Sequence, residues 1–206
     1  SDVALDGNRL LVGAMQYVTE VQGIGAAFVF ELAVESWDEV ATLRASAPVG
    51  FENFGAEVAL DGGRAAVAAP GHSEGLFGTV VGGAYVFDEE PGGWVESERI
   101  VINPEAGGSW IECGRDLSLV GGKISFACPS AGYCAGGDVF VFAEEGGSWT
   151  QLGAVGSPTG SGCSDWFAGR LIESDLLAGT APGQSFLYPE GAVLSIQVGG
   201  LGDILQ

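Results

Sequence analysis

The sequence predicts an all-β fold, a β-propeller of four-stranded antiparallel blades with four blades in the chain. Three observations carry that expectation. A strand–turn–strand unit recurs along the chain. Val58-Ala59-Leu60-Asp61-Gly62-Gly63-Arg64-Ala65-Ala66-Val67-Ala68-Ala69-Pro70 follows Val3-Ala4-Leu5-Asp6-Gly7-Asn8-Arg9-Leu10-Leu11-Val12-Gly13-Ala14 by 55 residues, and a third copy runs from Leu117 to Pro129. A fourth, worn copy runs from Leu171 to Pro182. Trp37, Trp94 and Trp149 stand 57 and 55 residues apart and mark one position of the unit. The unit length, with room for four short strands, is that of a propeller blade. A β-sandwich and an open solenoid are the competing architectures.

Each element follows from local pattern. Asp61-Gly62 between alternating apolar residues is a hairpin signal, and a two-residue type I′ turn needs the positive φ that glycine accepts. In the first unit strand A is about Asp2–Leu5, B is Arg9–Ala14, C is Gly25–Glu31 and D begins at Trp37 and runs to Leu43. The second unit places A at Glu57–Leu60, B at Arg64–Ala69, C at Gly83–Asp88 and D at Trp94–Ile102. The third places A at Asp116–Leu119, B at Lys123–Cys128, C at Asp138–Phe142 and D at Trp149–Leu152. The fourth has B near Leu176–Ala181, C at Gly191–Gln197 and a short D at Leu201–Leu205, with Leu201 near the place of the tryptophan. Blades therefore fall at about 1–55, 56–114, 115–169 and 170–206, forming one domain or part of a larger propeller. A single blade cannot bury both faces, so neighbours must stack.

Composition narrows the function. With 27 acidic residues against 7 basic ones the net charge is −20, and Lys123 is the single lysine. Nucleic acid and anionic membrane surfaces both require clustered cations, so neither is an expected partner. The charge reads as solubility, with a cation-binding surface as the alternative. No apolar run reaches the 18 residues of a membrane span, and no basic-then-apolar leader is present. The chain opens inside a repeat, as a mature product or a piece of something longer would.

Phe54-Gly55, Ala56-Glu57-Val58-Ala59-Leu60-Asp61-Gly62 and Ala68-Ala69-Pro70 together resemble the FG-GAP repeat, which builds the propeller of integrin α chains and of many surface proteins. Cys113-Gly114 stands where Phe-Gly would in the third unit, and Phe167-Ala168-Gly169 does so in the fourth. The resemblance implies an extracellular, secreted or cell-surface module for recognition, adhesion or structure, binding protein or glycan through its loop face. Integrin-type propellers usually have seven blades, so these four read as a fragment with further blades elsewhere, as one partner subunit of an assembled ring, or as a rare small propeller. Many family members hold calcium in the A–B hairpin. Here Asp6-Gly7-Asn8, Asp61-Gly62-Gly63 and Val120-Gly121-Gly122 are too short and oxygen-poor for a six- to eight-oxygen cage, so no cofactor is expected there.

The candidate chemistry is sparse. Cys113, Cys128, Cys134 and Cys163 are an even set that suggests disulfides, with three pairings possible. Antiparallel geometry favours Cys113–Cys128, because the start of A and the end of B share one end of a hairpin, and leaves Cys134–Cys163. A zinc site is the alternative, although no C-x-x-C knuckle is present. The single histidine, His72, lies in Gly71-His72-Ser73-Glu74-Gly75, which is not a nucleophile elbow, and reads as a solvated loop residue. Glu89-Glu90 and Glu144-Glu145 recur with the repeat and read as turn residues rather than an acid/base pair. The chain is therefore expected not to be an enzyme. Loops carry function on rigid scaffolds, and the longer loops carry aromatics. The candidate ligand-binding set is Tyr17, His72, Trp110, Tyr133 and Trp166, although Trp110 and Trp166 read more readily as plugs between blades. A stand-alone lectin-like glycan binder and an accessory domain of a secreted enzyme are the alternative functions.

Overall fold

The computed structural model describes residues 2–17, 24–48, 51–74, 79–101, 113–128, 138–156, 168–173, 176–181 and 192–197. Sheet 1 contains β1 (Val3–Asp6), β2 (Arg9–Ala14), β3 (Ala26–Leu32) and β4 (Trp37–Leu43) in chain order. The second unit supplies β5 (Val58–Asp61) and β6 (Arg64–Ala68), then a small hairpin of β7 (Ser73–Glu74) and β8 (Thr79–Val80), then β9 (Gly83–Glu90) and β10 (Gly93–Val101). Sheet 2 is β5-β6-β9-β10, and β7-β8 pair separately in what the sequence suggests is plain loop. Sheet 3 is β11 (Arg115–Val120), β12 (Lys123–Cys128), β13 (Asp138–Glu145) and β14 (Ser148–Gly156). A three-stranded sheet of β15 (Ala168–Glu173), β16 (Leu176–Ala181) and β17 (Ala192–Gln197) follows, while the expected D strand at Leu201–Leu205 lies outside the described residues.

All pairings within these sheets are antiparallel, and the expected A, B, C and D strands agree with the three full sheets to within a few residues. The A–B turns differ from expectation in detail. Their central residues are Gly7-Asn8 and Gly62-Gly63, and only the first of each has positive φ, +57° and +59°. That is the sign pattern of a II′ turn, in which Asp6 and Asp61 end the strand instead of entering the turn. In sheet 3 both Gly121 and Gly122 have positive φ, as a I′ turn requires.

In each of the three full sheets the C–D pairing breaks register at one place: Val40, Ser97 and Leu152 are each skipped. Each stands three residues after its tryptophan. A bulge at the same point of each outer strand twists the exposed edge, which discourages edge-to-edge association.

The sheets stack face to face. β5 packs on β1 and β2, β11 on β5 and β6, and β15 on β11, β12 and β13. Period-2 alternation in β6 serves both neighbours: Ala65 and Val67 join Leu11, Ala27 and Val29 in one core, while Ala66 and Ala68 join Leu117, Leu119, Ile124 and Phe126 in the next. The alanines of β6 let the inner strands approach closely, and the larger residues come from the facing sheets.

One set of polar ties repeats at successive junctions. The Asp2 carboxylate accepts the Val58 N–H at 3.2 Å, and the Glu57 carboxylate accepts the Leu117 N–H at 2.8 Å. Asp6 accepts the Gly62 N–H, and Asp61 the Gly121 N–H, both at 2.7 Å. Arg9 donates to Glu31 of its own sheet at 2.9 Å and to Glu89 of the next at 3.0 Å, with its guanidinium 5.6 Å from the Trp94 ring centre. Arg64 repeats this with Asp88 and Glu144, both at 2.5 Å, and with Trp149. At the third junction Ser118 and Ser125 replace Ala59 and Ala66, and their hydroxyls jointly accept the Leu171 N–H. The recurring acids, Glu89 and Glu144 among them, thus serve as junction acceptors as well as solvated charges.

Candidate functional site

The entry to sheet 2 is Phe51-Glu52-Asn53-Phe54-Gly55. Its backbone alternates: φ is +62° at Phe51, +56° at Asn53 and +86° at Gly55. Positive φ at a bulky phenylalanine is a true outlier, and two such non-glycine residues cost about 1–3 kcal/mol each unless the surroundings hold them. Gly55 is required there, since a Cβ would lie 2.3 Å from the Ala26 carbonyl oxygen. Gly71 is required equally, because its Cβ would lie 2.0 Å from the Phe51 carbonyl oxygen. The close approach lets the Gly71 N–H donate to the Glu52 carbonyl at 2.9 Å.

This geometry turns Glu52 inward. Glu52, His72 and Tyr85 are 0%, 2% and 1% exposed. His72 Nδ1 lies 2.8 Å from Glu52 Oε1, the Tyr85 hydroxyl donates to the same oxygen, and Tyr85 Oη lies 3.4 Å from His72 Nδ1. The His72 and Tyr85 rings meet edge to face at 6.2 Å, and Phe54 meets Tyr85 the same way at 5.3 Å. Burial, and then the hydrogen bond and charge of Glu52, push the Tyr85 phenol well above its ordinary range, with the neighbouring Arg99 pulling the other way. Tyr85 is therefore a neutral donor to a buried acceptor. All three side chains are enclosed by the surrounding protein. Together they clamp the loop entering sheet 2 to the loop that leaves β6.

His72 is thus a correction to the expected solvated loop residue. Its backbone N–H bonds to the Ala69 carbonyl as that of Tyr17 bonds to Ala14, so the two occupy one repeat position. Tyr17 packs edge to face on Phe28 at 5.3 Å, as His72 does on Tyr85. Burial follows because Glu52 offers the imidazole a charged acceptor, which Tyr17 does not need. Tyr17 is 42% exposed, with the Arg44 guanidinium 5.7 Å from its ring centre. Phe51, beside the cluster, is 71% exposed. Trp110, Tyr133 and Trp166 lie outside the described residues, as do Cys134 and Cys163.

Glu52 and Tyr85 escape the candidate set. The available signal is substitution within the repeat: Tyr85 stands where Phe28 and Phe140 stand, and His72 where Tyr17 stands. Two polar aromatics appear together at positions the repeat makes neighbours, and they need a polar partner.

Cys113 and Cys128 form a disulfide, the pairing that hairpin geometry favours. Cys113 takes the place of Phe54 and Cys128 that of Ala69, so a covalent link stands where the second unit has a phenylalanine and an alanine of one core cluster. The backbone bonding is the same in both: Phe54 N–H donates to the Ile24 carbonyl, and Cys113 N–H to the Val81 carbonyl. Among the described residues, no group of three or more His, Cys, Asp or Glu side chains could hold a metal ion. No helix among the described residues is long and apolar enough to cross a membrane.

Residues 37–87 match the family model of the FG-GAP repeat. The match runs from β4 through the Glu52 loop to Phe87 of β9, so it takes in the whole clamp. No curated protein matches the chain.

Proposed function

We propose that the chain is a non-catalytic propeller module of FG-GAP type that contributes four blades, secreted or on a cell surface. It recognises a protein or glycan partner through the loop face that carries Tyr17, Phe51 and the Glu52 clamp. The single observation that carries this reading is Phe51: a large apolar side chain held 71% exposed on backbone of positive φ, above an acid held fully buried. Strain of this kind clusters where a surface is preorganised for binding. The Cys113–Cys128 disulfide supports an oxidising compartment, and the FG-GAP match supports adhesion as the role. The acidic balance disfavours nucleic acid as a partner.

The test is a binding screen of the folded protein against immobilised glycans and intact cells, with Phe51→Ala and Tyr17→Ala beside the parent. Retained binding that both variants weaken by roughly tenfold or more supports the reading. Competition by free glycan assigns the lectin form, and competition by protein alone the adhesion form. Hydrolytic turnover abolished by His72→Ala would overturn the non-catalytic reading.

A further inference from the structure

We infer that the outer face of sheet 1 is the receiving half of a sheet junction, and that its occupant is the fourth sheet of a second copy of this chain. At both carboxylate-tied junctions the receiving sheet offers the same features: an apolar A strand, a turn-glycine N–H for the incoming acid, and a tryptophan at the start of D. Sheet 1 offers them all. Val3 and Leu5 are 63% and 64% exposed where their counterpart Val58 is 3% exposed. Phe28 and Phe30 stand on the same face, in alternation with Ala27 and Val29, which pack toward sheet 2. Gly7 holds the position of Gly62 and Gly121, and Trp37 that of Trp94 and Trp149.

The register of the fourth sheet identifies the occupant. Glu173 pairs with Leu176 as Asp6 pairs with Arg9 and Asp61 with Arg64. Glu173 therefore holds the position of the acids that cap the next turn. Leu176 holds the position of the arginines that reach Glu89 and Glu144. Sheet 1 carries Leu32 at the position of those glutamates, opposite Trp37 as Glu89 is opposite Trp94. Both members of the ion pair are replaced by leucine at this one junction, while the acid-to-glycine tie keeps its two residue types. Within one molecule the fourth sheet packs through β15 on β11, β12 and β13. A second copy brings it to sheet 1. Two chains joined in this way meet at two identical junctions, so association closes at two.

The experiment is light scattering on the full chain with its disulfide intact, together with Leu5→Glu and, as a control, Val34→Glu in the β3–β4 turn. Leu5 is already exposed in the single chain, so its variant folds alone. The expected result is a particle of twice 20.9 kDa for the parent and the control, with association at least about tenfold weaker for Leu5→Glu. A second measurement uses Gly7→Cys and Glu173→Cys, each alone and both together, and a covalent dimer only in the double variant supports the inference. A parent that stays at 20.9 kDa at high micromolar concentration would overturn it, as would a dimer indifferent to Leu5→Glu. A cross-link within one chain would mean that four sheets close on themselves. A natural polypeptide carrying another repeat ahead of Ser1 would mean that the face is covered from within. Either result overturns the second copy as occupant.

Discussion

The guanidinium of Arg64, in the first position of β6, lies 5.4 Å from the centre of the Trp149 ring at the start of the neighbouring sheet's outer strand. The same arginine holds Asp88 within its own sheet and Glu144 across the junction. The hydrogen bond to Asp88 leads in raising its pKa, against the cost of burial, so its charge is secure. Arg64→Ala should lower stability by about 1–2 kcal/mol, combining a partly exposed ion pair with a cation–π contact. Arg64→Lys should recover only part of this, since an ammonium cannot reach both carboxylates and the ring as a planar fork does. Urea denaturation of the three proteins at low and high salt checks both. Salt should narrow the gap between parent and Ala variant.

Two aspartates should give opposite pH responses. Burial alone pushes Asp88 up, but hydrogen bonds from Arg64 and Ser97 and the Arg64 charge outweigh it, and its pKa falls below the ordinary 3.8. The folded chain then binds fewer protons at Asp88 than the unfolded chain does. The stability it contributes is present above the unfolded value and is lost as pH falls through the folded one. Asp138 is raised by burial, so its contribution has the reverse sign and declines as pH rises through its folded value. Melting temperatures from pH 2 to pH 7 should show Asp88→Asn destabilised at neutral pH with a flatter acid limb. Asp138→Asn should be stabilised at neutral pH, with the gain vanishing in acid.

The Glu52 clamp should be expensive to break. Glu52→Ala leaves two buried polar rings without their shared acceptor and should cost about 2–4 kcal/mol. Tyr85→Phe removes one hydrogen bond and should cost about 1 kcal/mol. The double variant should lose less than the sum, because both changes act on one oxygen. Hydrogen exchange of the Gly71 amide, which bonds to the Glu52 carbonyl, reports the clamp locally and should accelerate in Glu52→Ala.

What the sequence makes legible here is what repeats. Strands A to D of three units, their antiparallel pairing and the Cys113–Cys128 link all follow from period-2 alternation and hairpin geometry. The junction ties recur as faithfully, yet Asp2, Asp6, Glu57 and Asp61 look like solvated acids. Nothing local distinguishes a carboxylate that accepts a neighbouring sheet's N–H from one that accepts water. The burial of His72 is illegible for a related reason. Its burial depends on Glu52, twenty residues earlier, and on positive φ at Phe51 and Asn53, which no propensity predicts for those residue types. The II′ sign pattern at Gly62 was hidden as well, because Asp-Gly and Gly-Gly both fit a two-residue turn.

The disulfide occupies the place of Phe54 and Ala69, and this can be exchanged. Cys113→Ala with Cys128→Ala should cost about 3 kcal/mol for a loop whose ends are 15 residues apart. Cys113→Phe with Cys128→Ala rebuilds the packing of sheet 2 and should recover part of that loss. Guanidinium midpoints of the three proteins decide whether the link works through the unfolded chain or through native packing.

The link joins the residue that leads into sheet 3, whose backbone bonds to Val81 of the second unit, to the end of β12. If the chain is pulled from its ends, the sheets can be drawn off one at a time, and the bond holds back only the 15-residue span from Cys113 to Cys128. Reduction should lengthen the extension released by sheet 3 by roughly 50 Å, at about 3.3–3.6 Å per residue, and leave the release of sheets 1 and 2 unchanged. The disulfide is then a limiter on how far one sheet can stretch.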